Sequence, residues 1–233
     1  MYHNFKEMWC RAKMISSEGE FSMADNQTII VYVVAGVIAY LIGTVSPSYM
    51  VSRKLNKDFR AGGSGNFGAS NTAILAGMKW GVIVGLCDIM KACIPVLVAK
   101  FFFSEYIYLQ YVVATCVILG HIFPFYLHFK GGKGFATFFG SILGIHWLAF
   151  IIIGLIFLLV VFLSDKIVIG TFTTITLFPI YIWIFDRNIW FVAIILVATL
   201  VIYHKHHENI QRLIKGEEFG IREVVLKKNK TED

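Results

Sequence analysis

The chain has 233 residues, 57% of them hydrophobic and 15% charged, with a formal net charge of +6 and a mean hydropathy of +0.69. A soluble domain of this length is not so apolar, so the bilayer is the solvent of this chain. The basic excess does not point to nucleic acid, because lysine and arginine lie between hydrophobic stretches instead of forming one patch interleaved with aromatics.

Residues 1–27 are polar and mixed in charge, and no apolar core precedes a cleavage-like site. They read as a disordered tail and not as a signal peptide, with Met23 an alternative start. Thr28 to Ser52 carries no charge and is long enough for one tilted helix. Arg53, Lys54, Lys57 and Arg60 follow at once. Positive-inside asymmetry then puts this loop in the cytoplasm and the N-terminus outside. Trp80 to Phe103 and Tyr106 to Tyr126 are two further spans, joined around Ser104-Glu105, and they return the chain to the cytoplasm near Lys130 and Lys133. Trp80, Tyr106, Tyr108 and Tyr126 fall near the span ends, where interfacial aromatics belong.

Phe135 to Leu163 suits one long tilted helix and is short for two. Charge parity decides: with Lys130, Lys133, Asp165-Lys166 and the basic end all cytoplasmic, the segment must go out and back, bending at Gly144-Ile145-His146-Trp147. Ile167 to Phe185 and Ile189 to Tyr203 make a last hairpin around Asp186-Arg187-Asn188. The expected architecture is an all-α polytopic membrane protein of about seven transmembrane helices. Its transmembrane domain is 28–206, and 207–233 is a cytoplasmic polar helix and charged tail. Cys87, Cys93 and Cys116 lie in apolar segments and Cys10 stands alone, so the cysteines read as packing residues and not as a disulfide framework or metal site.

Three polar clusters share the cytoplasmic face under this topology. In GGSGNFGASN, Gly62 to Asn71, close glycines let backbone amides approach an anion, while Ser64, Asn66, Ser70 and Asn71 offer uncharged hydrogen-bonding groups; a flexible loop is the plainer reading. In GHIFPFYLHFKGGKG, Gly120 to Gly134, Lys133 lies among glycines where a turn meets a helix N-terminus, a place that favours anions. It is not a Walker A loop, since Leu127 and Gly134 occupy positions that motif reserves for glycine and a hydroxyl residue. The third cluster is His204, Lys205, His206, His207, Glu208, Asn209 and Arg212. Phosphate contact suits it better than zinc, because no matching ligand set occurs elsewhere, and no cofactor is called for. Asp88 and Lys91, on one face of the second span, read as a structural or site-lining ion pair.

Gly63 with GSGNFGASN, the GHIFPFYLHFKGGKG stretch, and HHENIQRLIKGEE at 206–218 together resemble the bacterial acyl-phosphate-dependent glycerol-3-phosphate acyltransferases, over roughly Gly43 to Glu218. The resemblance implies a seven-helix inner-membrane enzyme with a cytoplasmic site. Such an enzyme moves a fatty acyl group from acyl phosphate to glycerol 3-phosphate and gives lysophosphatidic acid. Ser64, Lys133, His206 and Asn209 would be catalytic. Gly65, Asn66, Gly68, Asn71, Gly131, Gly132, Gly134, Thr171 and Arg212 would bind substrate phosphate. The implied partners are both substrates, membrane lipid and the soluble enzyme that makes acyl phosphate. Thr171 keeps the hydroxyl where the family usually has serine, whereas Ile74 stands where its pattern has arginine, and GTVSPSYM differs from the usual GSIPFGYL. An acyl phosphate brings its own leaving group, in keeping with the lack of a GxSxG elbow. None of the seven histidines has an aspartate five residues on, the pattern of the other large acyltransferase class.

Overall fold

The structure, a computed structural model, describes residues 26–222; the tail before residue 26, with Cys10 and Met23, and the charged end from residue 223 lie outside the described residues. Contacts divide the chain into Met1–Val33, of which only the opening of the first helix is described, and Val34–Asp233, which holds the rest. The helices are α1 (Asn26–Thr44), α2 (Pro47–Lys54), α3 (Ala69–Ala76), α4 (Met78–Phe102), α5 (Leu109–Ile122), α6 (Phe135–Ile145), α7 (Trp147–Ser164), α8 (Ile167–Phe185), α9 (Ile189–Lys205) and α10 (His207–Ile214). No strand occurs among the described residues.

The first predicted span is broken. After Thr44 the chain restarts at α2, where Ser46 caps the N-terminus by accepting from the Tyr49 amide at 3.2 Å and Pro47 takes the first turn. The break leaves the Val45 carbonyl without a helical partner, and Lys91 Nζ donates to it at 2.6 Å. The bend expected between Gly144 and Trp147 is present as a separation of α6 from α7 at His146, which has extended backbone.

Side-chain links within the larger unit define two ends of the bundle. At one end Arg60 donates to the carbonyls of Leu127 and Lys130, Lys133 to Asn209, and Lys166 to the Glu218 carbonyl. At the other, Asp186 accepts from Tyr111 and meets His146, both at 2.9 Å, while Lys100 donates to Ile145 O at 2.5 Å. The chain therefore runs from Lys133 out to His146 and back to Asp165. Among the described residues five helical segments are long and apolar enough to span a membrane, six if α9 and α10, bent by 50°, count as one. That is fewer than the seven expected, because α9 alone has 17 residues and α6 has 11, reaching about 16 Å, half of a roughly 30 Å hydrocarbon core.

Leu109–Leu127, buried over 61% of an 18-residue stretch, is the central span, and Trp147–Ser164, with 17% buried, is peripheral. Close approach makes the centre possible. A Cβ at Gly120 would lie 2.1 Å from Tyr40 O and one at Gly43 2.2 Å from Val117 O, so α1 and α5 cross backbone to backbone. α4 packs along α3, α5 and α6, while α8 packs between α7 and α9.

Candidate active site

The Gly62–Asn71 stretch is not a loose loop. Phe59 and Phe67 are buried with Val51, Val84 and Leu127, and Arg60 lies 4.8 Å from the centre of the Phe67 ring. Asn71, wholly buried, ties the turn from inside. Its Oδ1 accepts from the Ser64 amide at 2.6 Å, and its Nδ2 donates to Phe59 O at 2.7 Å and Asn66 O at 2.8 Å. Asn66 Nδ2 donates to Ser64 Oγ at 2.9 Å, which leaves the serine's own proton to give elsewhere.

The second stretch docks against the first, with Phe67 N donating to Gly131 O at 3.4 Å. The amides expected to cradle phosphate at Gly131 and Gly132 are already engaged, donating to Ile122 O at 3.0 Å and His121 O at 3.1 Å. Their lack of side chains serves packing: a Cβ at Gly131 would lie 2.1 Å from His121 O, and one at Gly132 2.1 Å from His121 Nε2. Gly134, at φ +92°, turns the chain into α6. The first-turn amides of α6 have no helical acceptor and carry its positive dipole end.

The third stretch divides its histidines. His204 and His207 stack with each other, whereas His206 is 5% exposed and donates from Nδ1 to Ile202 O at 2.8 Å, leaving Nε2 as an acceptor. Burial brings His206 down to about 4, with Lys133 pushing the same way and the bond to Ile202 opposing; the ring is neutral at physiological pH. Lys133 Nζ donates to Asn209 Oδ1, Asn209 Nδ2 donates to Glu218 Oε1 at 2.7 Å, and Arg212 Nε donates to Glu218 Oε2 at 2.9 Å. Burial lowers Lys133 to about 8; Arg212 lowers it further, while Glu208 and Glu218 oppose.

These elements enclose a cavity of about 380 Å³. Its polar wall includes Ser64, Asn66, Lys133, Thr171, His206 and Asn209; its apolar wall includes Ile74, Met78, Val82, Phe135, Ile167 and Val168. Gly68 and Gly134 also reach it, as do Asp88 and His121. Thr171, 1% exposed, donates to Ile167 O at 3.1 Å. Of the residues expected at a site, Gly65, Asn71, Gly131, Gly132, Lys91 and Arg212 stand outside the lining. Asn71 and the paired glycines shape the loops, Lys91 pairs with Asp88 at 2.7 Å, and Arg212 turns to Glu218. Neither Arg60 nor the exposed Lys79 reaches the cavity in place of an arginine at Ile74. Glu218 and His121 line the cavity and were not singled out from sequence, although both lie inside the quoted motifs. Among the described residues no group of three or more His, Cys, Asp or Glu side chains is placed to hold a metal ion.

Residues 33–216 match the family described as "Glycerol-3-phosphate acyltransferase". A curated glycerol-3-phosphate acyltransferase of Proteus mirabilis is 39% identical over 198 residues, covering 84% of this chain and 89% of its own length. Among solved structures, PlsY (YgiH), an integral membrane glycerol 3-phosphate acyltransferase, in its glycerol 3-phosphate form superposes with a TM-score of 0.78 at 28% identity, over 84% of this chain and 98% of that one. The form of that enzyme with "lysphosphatidic acid" gives a TM-score of 0.76 at 27% identity, over 84% and 99%.

Proposed function

Because the chain belongs to the glycerol-3-phosphate acyltransferase family, we propose that it moves a fatty acyl group from acyl phosphate to the 1-hydroxyl of glycerol 3-phosphate. The products are 1-acylglycerol 3-phosphate and inorganic phosphate. The observation that carries this reading is one cavity with a polar wall around Lys133 and an apolar wall along α4 and α8. A phosphorylated polar acceptor and a phosphorylated lipid tail need both walls at once. Val82 and Met78, exposed on α4, extend the apolar wall to the lipid side, where an acyl chain is at home. The glycerol 3-phosphate and lysophosphatidic acid forms of the solved relative support the same acceptor and product.

Lys133 and the first turn of α6 hold phosphate oxygens, with Ser64, Asn66, Thr171 and Asn209 completing the contacts. The acceptor hydroxyl attacks the acyl carbon, a carbon–oxygen bond forms, and the bond to the bridging phosphate oxygen breaks. No acyl-enzyme is needed, since phosphate leaves readily. His206 Nε2 accepts the hydroxyl's hydrogen bond and orients it. A ring held near 4 does not keep the proton at neutral pH, so the proton ends on a substrate phosphate, whose second ionisation lies near pH 6. Positive-inside asymmetry puts this end of the bundle on the cytoplasmic side of a bacterial inner membrane, within reach of acyl phosphate made by a soluble enzyme.

The test is acyl transfer in membranes containing the chain, offering acyl phosphate or acyl-CoA with glycerol 3-phosphate, beside Lys133→Ala. Product from acyl phosphate alone, abolished by the substitution, is the expected result. Product from acyl-CoA, or none from either donor with folded protein, refutes the reaction as written.

A further inference from the structure

His121 is unused by the chemistry above, yet it is 5% exposed and still lines the cavity. Its Nδ1 lies 3.0 Å from Lys91 Nζ in hydrogen-bonding geometry and 3.4 Å from Asp88 Oδ1. Lys91 also donates to Val45 O at 2.6 Å and forms an ion pair with Asp88 at 2.7 Å. An ammonium cannot accept, so the shorter contact makes Nδ1 the acceptor and places the imidazole proton on Nε2. That edge of the ring packs close to Gly132, where a Cβ would lie 2.1 Å from Nε2.

We propose that Lys91 fixes His121 as the Nε2–H tautomer and that this N–H donates to a phosphate oxygen in the cavity. The proposal deepens the acyltransfer reading and rests on it for the identity of the phosphorylated ligand. The donor is neutral and anchored through a buried ion pair to the break between α1 and α2. It supplies a hydrogen bond without adding a charge at a depth where charge is costly. His121 thus becomes a further substrate-contacting residue. Asp88 and Lys91, which do not touch substrate in this account, are positioning residues.

The test uses the full chain in detergent, labelled with ¹⁵N-histidine, with His121 signals assigned by their loss in His121→Gln. The expected spectrum has the proton on Nε2, and its signal moves when glycerol 3-phosphate, acyl phosphate or inorganic phosphate is added. A proton on Nδ1, or a signal that no phosphate moves, overturns the proposal. Kinetics give the second arm, since glutamine can place an amide N–H near the Nε2 position and phenylalanine cannot. In folded His121→Phe, kcat/KM is expected to fall about ten- to hundredfold, the worth of one hydrogen bond to a charged group, and His121→Gln recovers most of it. The substrate whose KM rises identifies whose phosphate is held. Equal loss in both variants makes the ring structural and sinks the donor role. Were the wild-type chain to make no product, the acyltransfer reading would fail while the spectrum still tested the tautomer and phosphate contact.

Discussion

Lys133 offers the sharpest quantitative test, because its burial sets a titration inside the working range of an assay. With its ammonium lowered to about 8, roughly 90% of the free enzyme carries the charge at pH 7 and about 10% at pH 9. If the charged form alone binds substrate phosphate productively, kcat/KM falls about tenfold between those values, with a midpoint near 8. Phosphate release from acyl phosphate at substrate concentrations below KM, corrected for spontaneous hydrolysis at each pH, reads this directly. Lys133→Arg keeps a charge that does not titrate below pH 12 or so, so whatever it costs in positioning, the alkaline limb leaves the range. A Lys133→Arg enzyme that retains the limb near 8, or a wild type with a flat profile to pH 9.5, would refute the reasoning and assign the limb to another group.

Stability should answer pH in the opposite sense. The unfolded lysine titrates near 10.5 and the folded one near 8, so the cost of burying the charge is fully present below 8 and disappears as pH rises through 10.5. Lys133→Met is therefore expected to raise the melting temperature at pH 7 while abolishing transfer; a fall in melting temperature would contradict this. Lys91→Met strands the Asp88 carboxylate, 1% exposed, and should cost about 3–5 kcal/mol. The double change with Asp88→Asn should recover part of that loss in a thermal unfolding measurement. Ile74→Arg adds a cation at the cavity wall and is expected to lower KM for glycerol 3-phosphate about tenfold, the lower end for a charged hydrogen bond; an unchanged KM would show that phosphate lies elsewhere. His206→Ala should raise KM and leave the shape of the pH profile unchanged, and a lost acidic limb with unchanged KM would return the histidine to the role of base.

Hydropathy and charge parity made most of the helix layout legible. Trp80 to Phe103 became Met78–Phe102, and the bend forced by parity near His146 is where α6 and α7 separate. The break after Thr44 was hidden because an unbroken apolar run outweighed the Ser46-Pro47 start signal, which the local structure obeys. Helix α3 lay unseen behind a stretch whose glycines and serines suggested a loop, although Ala69 to Ala76 is a short run of helix-compatible residues packed on α4. At the site, a glycine looks the same in sequence whether it bares an amide or clears room for a neighbour. Gly131 and Gly132 do the second, and only the fold brings His121 beneath them. Glu218 was likewise unreadable, since its importance is a meeting with Asn209 and Arg212.

Charge balance explains why so many neutral donors converge here. Arg212 is engaged by Glu218 and Lys91 by Asp88, so among the described cavity-lining residues Lys133 is the one lysine or arginine. The two phosphorylated substrates of the proposed reaction would bring up to four negative charges between them, far more than one ammonium offsets. In the proposed reaction the remainder would fall to groups that carry dipoles and no net charge: the first turn of α6, the Ser64 hydroxyl, the Asn66 and Asn209 amides, and the His121 N–H. Such groups hold an oxyanion in place without forming the tight ion pairs that would resist release of inorganic phosphate after transfer. With isoleucine at position 74, the site leans further toward neutral donors than an arginine there would permit, so its phosphate affinity should depend on hydrogen-bond geometry more than on ionic strength.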